Sequence, residues 1–343
     1  MSGTSLDGID IAEINFSLSD EKAWDFEILA STTKAYSSAW RKKLQQAVSL
    51  SEDQLDALDL EYTKYLSEVI HSFIFEQEIE NLDAVCSHGH TVMHQPDKGL
   101  TLQIGNLPKL AQLVRQKVVC DFRVQDVQLG GQGAPLVPIG DALLFGQYDY
   151  CLNLGGFANI SCDNNGLRVA YDICPVNIIL NMYAENLGFS YDDKGKIAAS
   201  GVLNAELLEQ LNELHFYSKS PPKSLGIEWV KKFVLPILDA SILSDQDKLR
   251  TIIEHIAVQI SSQIETKTTV LVTGGGVYNE FLISRIRSHR DMELIIPSRK
   301  LIEFKEALIF GLLGVLRLRG SVNCLASVTG SKNDHSSGNI YFG

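Results

Sequence analysis

Ile9-Asp10-Ile11-Ala12-Glu13-Ile14-Asn15-Phe16 alternates apolar with small or polar residues. That period of two predicts a half-buried strand. From 38 to about 77 the period lengthens. Leu55, Leu58, Tyr62, Tyr65, Leu66, Val69, Ile70 and Phe73 recur at three- and four-residue steps and predict a helix with one core-facing stripe. Short apolar runs at 83–88, 101–105 and 118–122 read as strands, with a helix over 107–116. Further on, Tyr150-Cys151-Leu152-Asn153-Leu154 and Thr269-Val270-Leu271-Val272-Thr273 each break into glycines. Helical spacing fills 203–214, 227–238 and 248–264 between them. The tail after Val328 is rich in Gly, Ser and Asn and closes on Ile340-Tyr341-Phe342. Strands alternating with helices predict an α/β class, and the recurring strand-to-glycine turns suggest two similar halves.

Length sharpens this picture. A chain of 343 residues exceeds one typical core, so two domains sharing a cleft are expected. The boundaries drawn are 1–138, possibly rejoined by the tail 325–343, and 139–324. Composition is that of a globular protein, 45% hydrophobic and 21% charged. The net charge of −12 with no long basic run argues against a nucleic-acid partner. No signal peptide and no apolar run of about 20 residues is present, so no membrane partner is expected. Cys86, Cys120, Cys151, Cys162, Cys174 and Cys324 are scattered without CxxC spacing. They read as buried thiols in a reducing compartment, which predicts a cytoplasmic location.

Candidate chemistry concentrates in three turns: Gly3-Thr4-Ser5-Leu6-Asp7-Gly8, Asn153-Leu154-Gly155-Gly156-Phe157-Ala158-Asn159 and Thr273-Gly274-Gly275-Gly276-Val277-Tyr278-Asn279. Glycine lets backbone N–H groups approach a phosphate closely. Thr4 or Ser5 can add a hydroxyl donor, and Asp7 can hold Mg²⁺ through water. None of the turns is a Walker A or GxGxxG motif, and each alone is weak evidence. A fourth stretch, Leu129-Gly130-Gly131-Gln132-Gly133-Ala134-Pro135-Leu136-Val137-Pro138, is too rich in Gly and Pro for a regular element and reads as an active-site loop.

Taken together with Ser87-His88-Gly89, Thr101-Leu102-Gln103-Ile104-Gly105-Asn106 and Asp121-Phe122-Arg123, these stretches resemble the anhydro-N-acetylmuramic acid kinase family over nearly the whole chain. Gly-Gly-Gln-Gly-Ala-Pro-Leu-Val-Pro is the most specific of them. The resemblance implies two RNase H-like domains of the sugar kinase, Hsp70 and actin superfamily closing a cleft on ATP, with Mg²⁺, and a homodimer. It implies a reaction in which water opens a 1,6-anhydro ring while O6 accepts the γ-phosphoryl group, a step of cell-wall recycling. The nucleotide would meet Gly3, Thr4, Ser5, Asp7, Gly8, Asn153, Gly155, Gly156, Asn159, Gly274, Gly275, Gly276 and Asn279.

Asp172 lies in Tyr171-Asp172-Ile173-Cys174-Pro175-Val176-Asn177, which resembles the family's Asp-x-Gly-Pro-Gly-Asn. On residues alone it reads as a strand-end cap for a helix over 177–187; the resemblance makes it the general base for water. Cys174 and Val176 replace both family glycines, which leaves a related anhydro or amino sugar as an alternative substrate. His88, Asp121, Arg123, Gln132 and Glu306 are implied on the sugar side. Arg123 can grip a lactyl carboxylate bidentately or pair with Asp126 at the surface; Glu306 can instead be a solvated helix face.

Cys86, His88, His90 and His94 invite a zinc site, but a strand would turn Cys86 and His88 to one side and leave His90 beyond the Gly89 turn. A non-kinase nucleotide-binding protein is the alternative of a different class. The superfamily's first phosphate turn joins two strands, yet only Met1 and Ser2 precede Gly3. Residues added upstream are therefore expected to raise stability and activity.

Overall fold

The alternation at the start of the chain forms β1 (Gly8–Leu18), which pairs antiparallel with β2 (Trp24–Ala35). The structure is a computed structural model that describes residues 1–3 and 6–343, without the side chain of Asp97. What was expected of Thr4 and Ser5 lies outside the described residues. The architecture is mixed α/β. The chain divides into two compact units, 1–144 with 304–343, and 145–303. Residues 139–144 and 304–324, assigned from sequence to the second domain, thus fall in the first unit.

In the first unit the long helical stretch is broken into Ser38–Gln46, a short turn and Glu52–Glu76. The break is local chemistry. Ser51 and Gln54 form a reciprocal capping box that starts the second helix, satisfying two backbone donors at once. β3 (Val85–Ser87) runs parallel to β6 (Val118–Cys120), which pairs antiparallel with a tail strand, Asn339–Tyr341. β4 (His90–Gln95) and β5 (Leu100–Ile104) form a separate hairpin. Tyr62, Ile104, Leu110, Val118 and Cys120 are buried in one apolar cluster. A polar string crosses this core. His90 Nδ1 meets Ser2 Oγ at 2.9 Å, Ser2 Oγ meets Tyr36 Oη at 2.7 Å, and Tyr36 Oη meets Tyr62 Oη at 2.6 Å. Burial pushes the Tyr62 hydroxyl well up and the His90 imidazole down to about 4.

The second unit is built on β7 (Tyr150–Leu154), β8 (Phe157–Asn164), β9 (Leu167–Pro175), β10 (Thr269–Thr273) and β11 (Glu293–Ile295), ordered β11-β10-β7-β8-β9. β10 is parallel to β7 and β11, while β7, β8 and β9 form an antiparallel meander. Helix Asp245–Ser262 packs its apolar stripe into this unit's core through Leu249, Ile252, Ile253, Ile256 and Ile260. The same helix carries Glu254, whose carboxylate takes Arg285 in a bidentate pair at 2.8 Å and also meets Arg250 and His289 at 2.7 Å. Burial alone would raise that carboxyl; the donors from Arg285, Arg250 and His289 outweigh it and hold the group at about 2.

All six cysteines are free thiols, and four are buried. Burial pushes Cys86 and Cys120 to about 12 and raises Cys174 and Cys324 further.

Candidate active site

In the second unit, parallel pairing sets Thr273 of β10 opposite Asn153 of β7. Antiparallel pairing then sets Asn153 opposite Asn159, and Asn159 opposite Asp172. Directly opposed residues share a sheet face, so Thr273, Asn153, Asn159 and Asp172 make one polar row. The register shift between Ala158 and Asn159 brings Asp172 into it. Leu152, Leu154 and Ile160 alternate with the row and point into the core. The row lies where β7 and β10 run out into Gly155–Gly156 and Gly274–Gly276. Gly274 needs to be glycine: its φ is +84°, and a Cβ there would stand 2.5 Å from Asn153 Oδ1. Gly156 and Gly275 are exposed.

Asp172 is half-buried. Its Oδ2 accepts the Leu225 N–H at 2.8 Å, which fixes the carboxylate, and its own N–H donates to Lys223 O at 3.0 Å. Burial raises its pKa above the ordinary aspartate value, against the lowering effect of the Leu225 amide. The helix Asn177–Asn186 begins just beyond, and Asp172 does not cap it. Instead Val176, Asn177 and Ile178 donate their N–H groups to the carbonyls of Gly156 and Gly155. Cys174 and Val176 have no exposed surface and sit inside the core cluster. Their side chains therefore present nothing to solvent. Asn279 is also buried: its Oδ1 accepts from Leu282 N at 2.9 Å and caps the helix Glu280–His289.

In the first unit a second set assembles around Arg123. Its Nε donates to His88 Nε2 at 2.9 Å, and its Nη1 donates to Gly133 O at 2.6 Å. Guanidinium can only donate. His88 Nε2 is thereby the acceptor, and Nδ1–H faces Gly89 O at 3.1 Å. Burial, reinforced by the Arg123 charge, holds this imidazole well below its usual pKa, so it is neutral. Burial also lowers the guanidinium itself to about 10, with Glu306 opposing the shift. The surface ion pair with Asp126 does not form. Asp126 is fully buried and serves the glycine loop: Oδ2 accepts Gly133 N–H at 2.7 Å, and Oδ1 accepts Thr329 Oγ1 at 2.7 Å and Cys324 Sγ at 3.1 Å. A side chain at Gly131 would collide with this carboxylate.

Glu306 is exposed at the helix Arg299–Leu318, yet the atoms crowded about its carboxyl raise its pKa, with Arg123 pulling the other way. Phe310, one helical turn on, packs 4.5 Å from the His88 ring and 5.7 Å from the Arg123 guanidinium. Sequence reasoning did not single out Phe310; its i, i+4 spacing from Glu306 was the available signal. Asp121 sits at φ +60°, and its Oδ2 accepts from Asn339 Nδ2 at 3.0 Å. Gln132 is exposed and anchored through its backbone N–H to Thr329 O at 2.8 Å. Asp7 is exposed beside Gly8, where a Cβ would stand 2.5 Å from Lys34 O. Gly3 and Gly8 flank this turn. Among the described residues, the close metal-capable group is Asp126, Cys324 and His335, not the Cys86–His94 set. The hydrogen bonds just given account for its carboxylate as an anchor of the loop.

The family model described as anhydro-N-acetylmuramic acid kinase matches residues 1–343. A protein of that name from Saccharophagus degradans is 32% identical over 368 residues, covering 99% of this chain and 97% of its own. One from Pseudomonas putida is 34% identical over 369 residues, covering 99% and 98%. Against solved structures, component A of (R)-2-hydroxyglutaryl-CoA dehydratase from Acidaminococcus fermentans overlaps 50% of this chain and 63% of that one, at 13% identity and a TM-score of 0.32. A likeness that slight carries no weight beside a match over the full chain. On its sequence, end to end, this chain belongs to the anhydro-N-acetylmuramic acid kinase family.

Proposed function

We propose that this protein is an ATP-dependent kinase that converts 1,6-anhydro-N-acetylmuramic acid and water into N-acetylmuramic acid 6-phosphate, in cell-wall recycling. Water attacks C1 and gives its proton to Asp172. The C1–O6 bond breaks, O6 takes the γ-phosphoryl group of ATP, and ADP leaves. The observation that carries this reading is Asp172, a carboxylate fixed by one backbone amide and raised in pKa, in line with Asn159 and Asn153 at the glycine turns. A base of this kind contributes roughly 10²- to 10⁴-fold to rate.

The nucleotide set fits an anionic ligand on two grounds. Gly156 and Gly275 expose backbone at adjacent strand ends, and Thr273 Oγ1 is buried with no partner among the described residues. Asn153, Asn159, Gly155, Gly274 and Gly276 complete it; Asn279 acts by capping the helix that follows. Mg²⁺, if bound, neutralises phosphate charge, and exposed Asp7 can hold it through water.

The sugar set is Arg123, His88, Glu306, Asp121 and Gln132. Arg123 is oriented before the substrate arrives, because His88 and Gly133 each hold one of its nitrogens. An oriented guanidinium loses less entropy on gripping a carboxylate. Closure of two RNase H-like domains on ATP, a homodimer and a cytoplasmic location belong to this proposal. No helix among the described residues is long and apolar enough to cross a membrane. A kinase for another anhydro or amino sugar loses its main support once Cys174 and Val176 are buried in the core.

ADP release with the anhydro sugar tests the proposal. Asp172→Asn is expected to lower kcat at least 100-fold. Because only the ionised carboxylate accepts a proton, wild-type activity should rise with pH through a value above the ordinary aspartate range. Equal turnover by both proteins would remove Asp172 as the base.

A further inference from the structure

The end of the chain in the first unit brings a thiol and an imidazole to one spot. Cys324 and His335 form an isolated antiparallel bridge, and each donates its backbone N–H to the other's carbonyl at 3.1 Å. Directly opposed residues share a face, so the two side chains stand on one side, and both are buried. The backbone beside them is pinned. Asn323 Nδ2 donates to Leu313 O at 2.9 Å and to Ser337 O at 2.8 Å, and its Oδ1 accepts the Ser337 N–H at 2.7 Å.

Asp126 reaches the same spot from the short helix Val124–Gln128. Its hydrogen bonds explain the carboxylate, but they do not explain His335. His335 Nδ1 lies 3.1 Å from Asn333 O. A carbonyl only accepts, so Nδ1 carries a proton, and in the neutral ring Nε2 is then a bare lone pair. That Nε2 is enclosed and has no hydrogen-bond partner among the described residues. It lies 3.6 Å from Asp126 Oδ1, too far for a hydrogen bond. Two acceptors thus face each other, and Cys324 Sγ stands 3.1 Å from the same carboxylate oxygen. A cation between them turns this opposition into attraction.

We propose that Asp126 Oδ1, Cys324 Sγ and His335 Nε2 form a zinc site that clasps the end of the chain to the glycine loop. The three atoms lie within 4.8 Å of one another. Tetrahedral zinc, with bonds of about 2.0–2.3 Å, wants its ligand atoms about 3.3–3.7 Å apart. The edges of 3.1 and 3.6 Å are already close to that. On binding, Cys324 gives its thiol proton to water, Sγ bonds to the metal, and a water takes the fourth position. Zn²⁺ with one thiolate and one carboxylate is neutral, so the ion brings no net charge into the interior. Sulfur and imidazole ligands favour zinc over Mg²⁺ or Ca²⁺, which take oxygen. The outer contacts fit as well. A ligating imidazole donates its other N–H to a carbonyl, and a ligating carboxylate is itself hydrogen-bonded. Asn333 O and Thr329 Oγ1, the latter 2.7 Å from Oδ1, supply these two contacts. Oδ2 stays with the Gly133 N–H, so the metal would tighten the loop that holds Arg123. This site does not depend on the kinase reading.

The full chain, stripped with a chelator and titrated with Co²⁺ and then Zn²⁺, tests the proposal. Co²⁺ is expected to raise a thiolate-to-metal charge-transfer band that saturates at about one equivalent and that Zn²⁺ displaces. Cys324→Ser should abolish the band, and Cys162→Ser, in the second unit, should keep it. His335→Gln should weaken binding at least about tenfold. Zn²⁺ at about 100 times its Kd should slow exchange of the Gly133 amide by roughly 100-fold. A wild-type protein that gives no band would overturn the proposal, and His335 Nε2 would then hold a proton in place of a metal. A band that survives Cys324→Ser, or unchanged affinity in His335→Gln, would overturn it too, because the metal would then sit elsewhere.

Discussion

Removing the Asp126 carboxylate should loosen the glycine loop and, through it, Arg123. Asp126→Ala leaves three donors without their acceptor. Gly133 N–H is buried and has no second acceptor among the described residues, which makes it the costliest, at roughly 1.5–3 kcal/mol for a bond to a charged group. Thr329 can turn its hydroxyl to Leu325 O, 3.3 Å away, so its loss is about 1 kcal/mol, and the thiol of Cys324 counts for less. The sum is about 3–5 kcal/mol. Asp126→Asn keeps one oxygen for Gly133 and turns its NH₂ toward Thr329 and Cys324, both of which can accept, so about 1 kcal/mol is expected. The two units make a single global unfolding midpoint a poor readout. Hydrogen exchange at the Gly133 amide reads the loop directly. Asp126→Ala should accelerate it by on the order of 10²- to 10³-fold, and Asp126→Asn by about tenfold. Since Gly133 O holds Arg123 Nη1, the alanine variant should also raise KM for the sugar more than it lowers kcat. Exchange within threefold of wild type in Asp126→Ala, or equal damage from both variants, would refute the reasoning.

Arg123→Lys keeps the charge but cannot reach His88 and Gly133 O from one planar group; KM for the anhydro sugar should rise by roughly 10- to 100-fold with the ATP constant little changed, measured by steady-state kinetics. Glu254 is held at about 2 against an ordinary 4.5. A depressed carboxyl stabilises the fold above its unfolded pKa, and that contribution fades as pH falls from about 4.5 through 2. It amounts to at most on the order of 3 kcal/mol at 1.36 kcal/mol per unit. Glu254→Gln should therefore be less stable near pH 7 and show a flatter loss between pH 4.5 and 2 in acid titration followed by circular dichroism.

The parts legible in the sequence are those where one period or one motif decides the outcome. β1 follows from its alternation and β7 and β10 from runs of apolar residues, and the glycine turns at 155–156 and 274–276 are where they were expected. The β8–β9 hairpin was missed although Asn165-Gly166, both at positive φ, is a strong two-residue turn signal. β2 was missed as well, because its polar positions face solvent on what is now a sheet edge. Asp126 looked like a surface partner for Arg123, because spacing of three on a short helix says nothing about a tail 200 residues away. Thr329 comes from that tail and Cys324 from just before it, and no local pattern connects them to the loop. Cys174 and Val176 looked exposed to ligand only because glycine was expected there; the core of the second unit takes their side chains instead.

The thiols give the fold a set of internal clocks. Cys86, Cys120 and Cys324 lie in the first unit, and Cys151, Cys162 and Cys174 in the second. A protonated, enclosed sulfur does not react with an alkylating probe until the structure around it opens. The rate at which each cysteine takes up a label therefore times the opening of its own surroundings. With two buried reporters in each unit, Cys120 and Cys324 in the first and Cys151 and Cys174 in the second, labelling followed by peptide mass mapping can tell whether the two units open together or one before the other, with no engineered dye and no substitution.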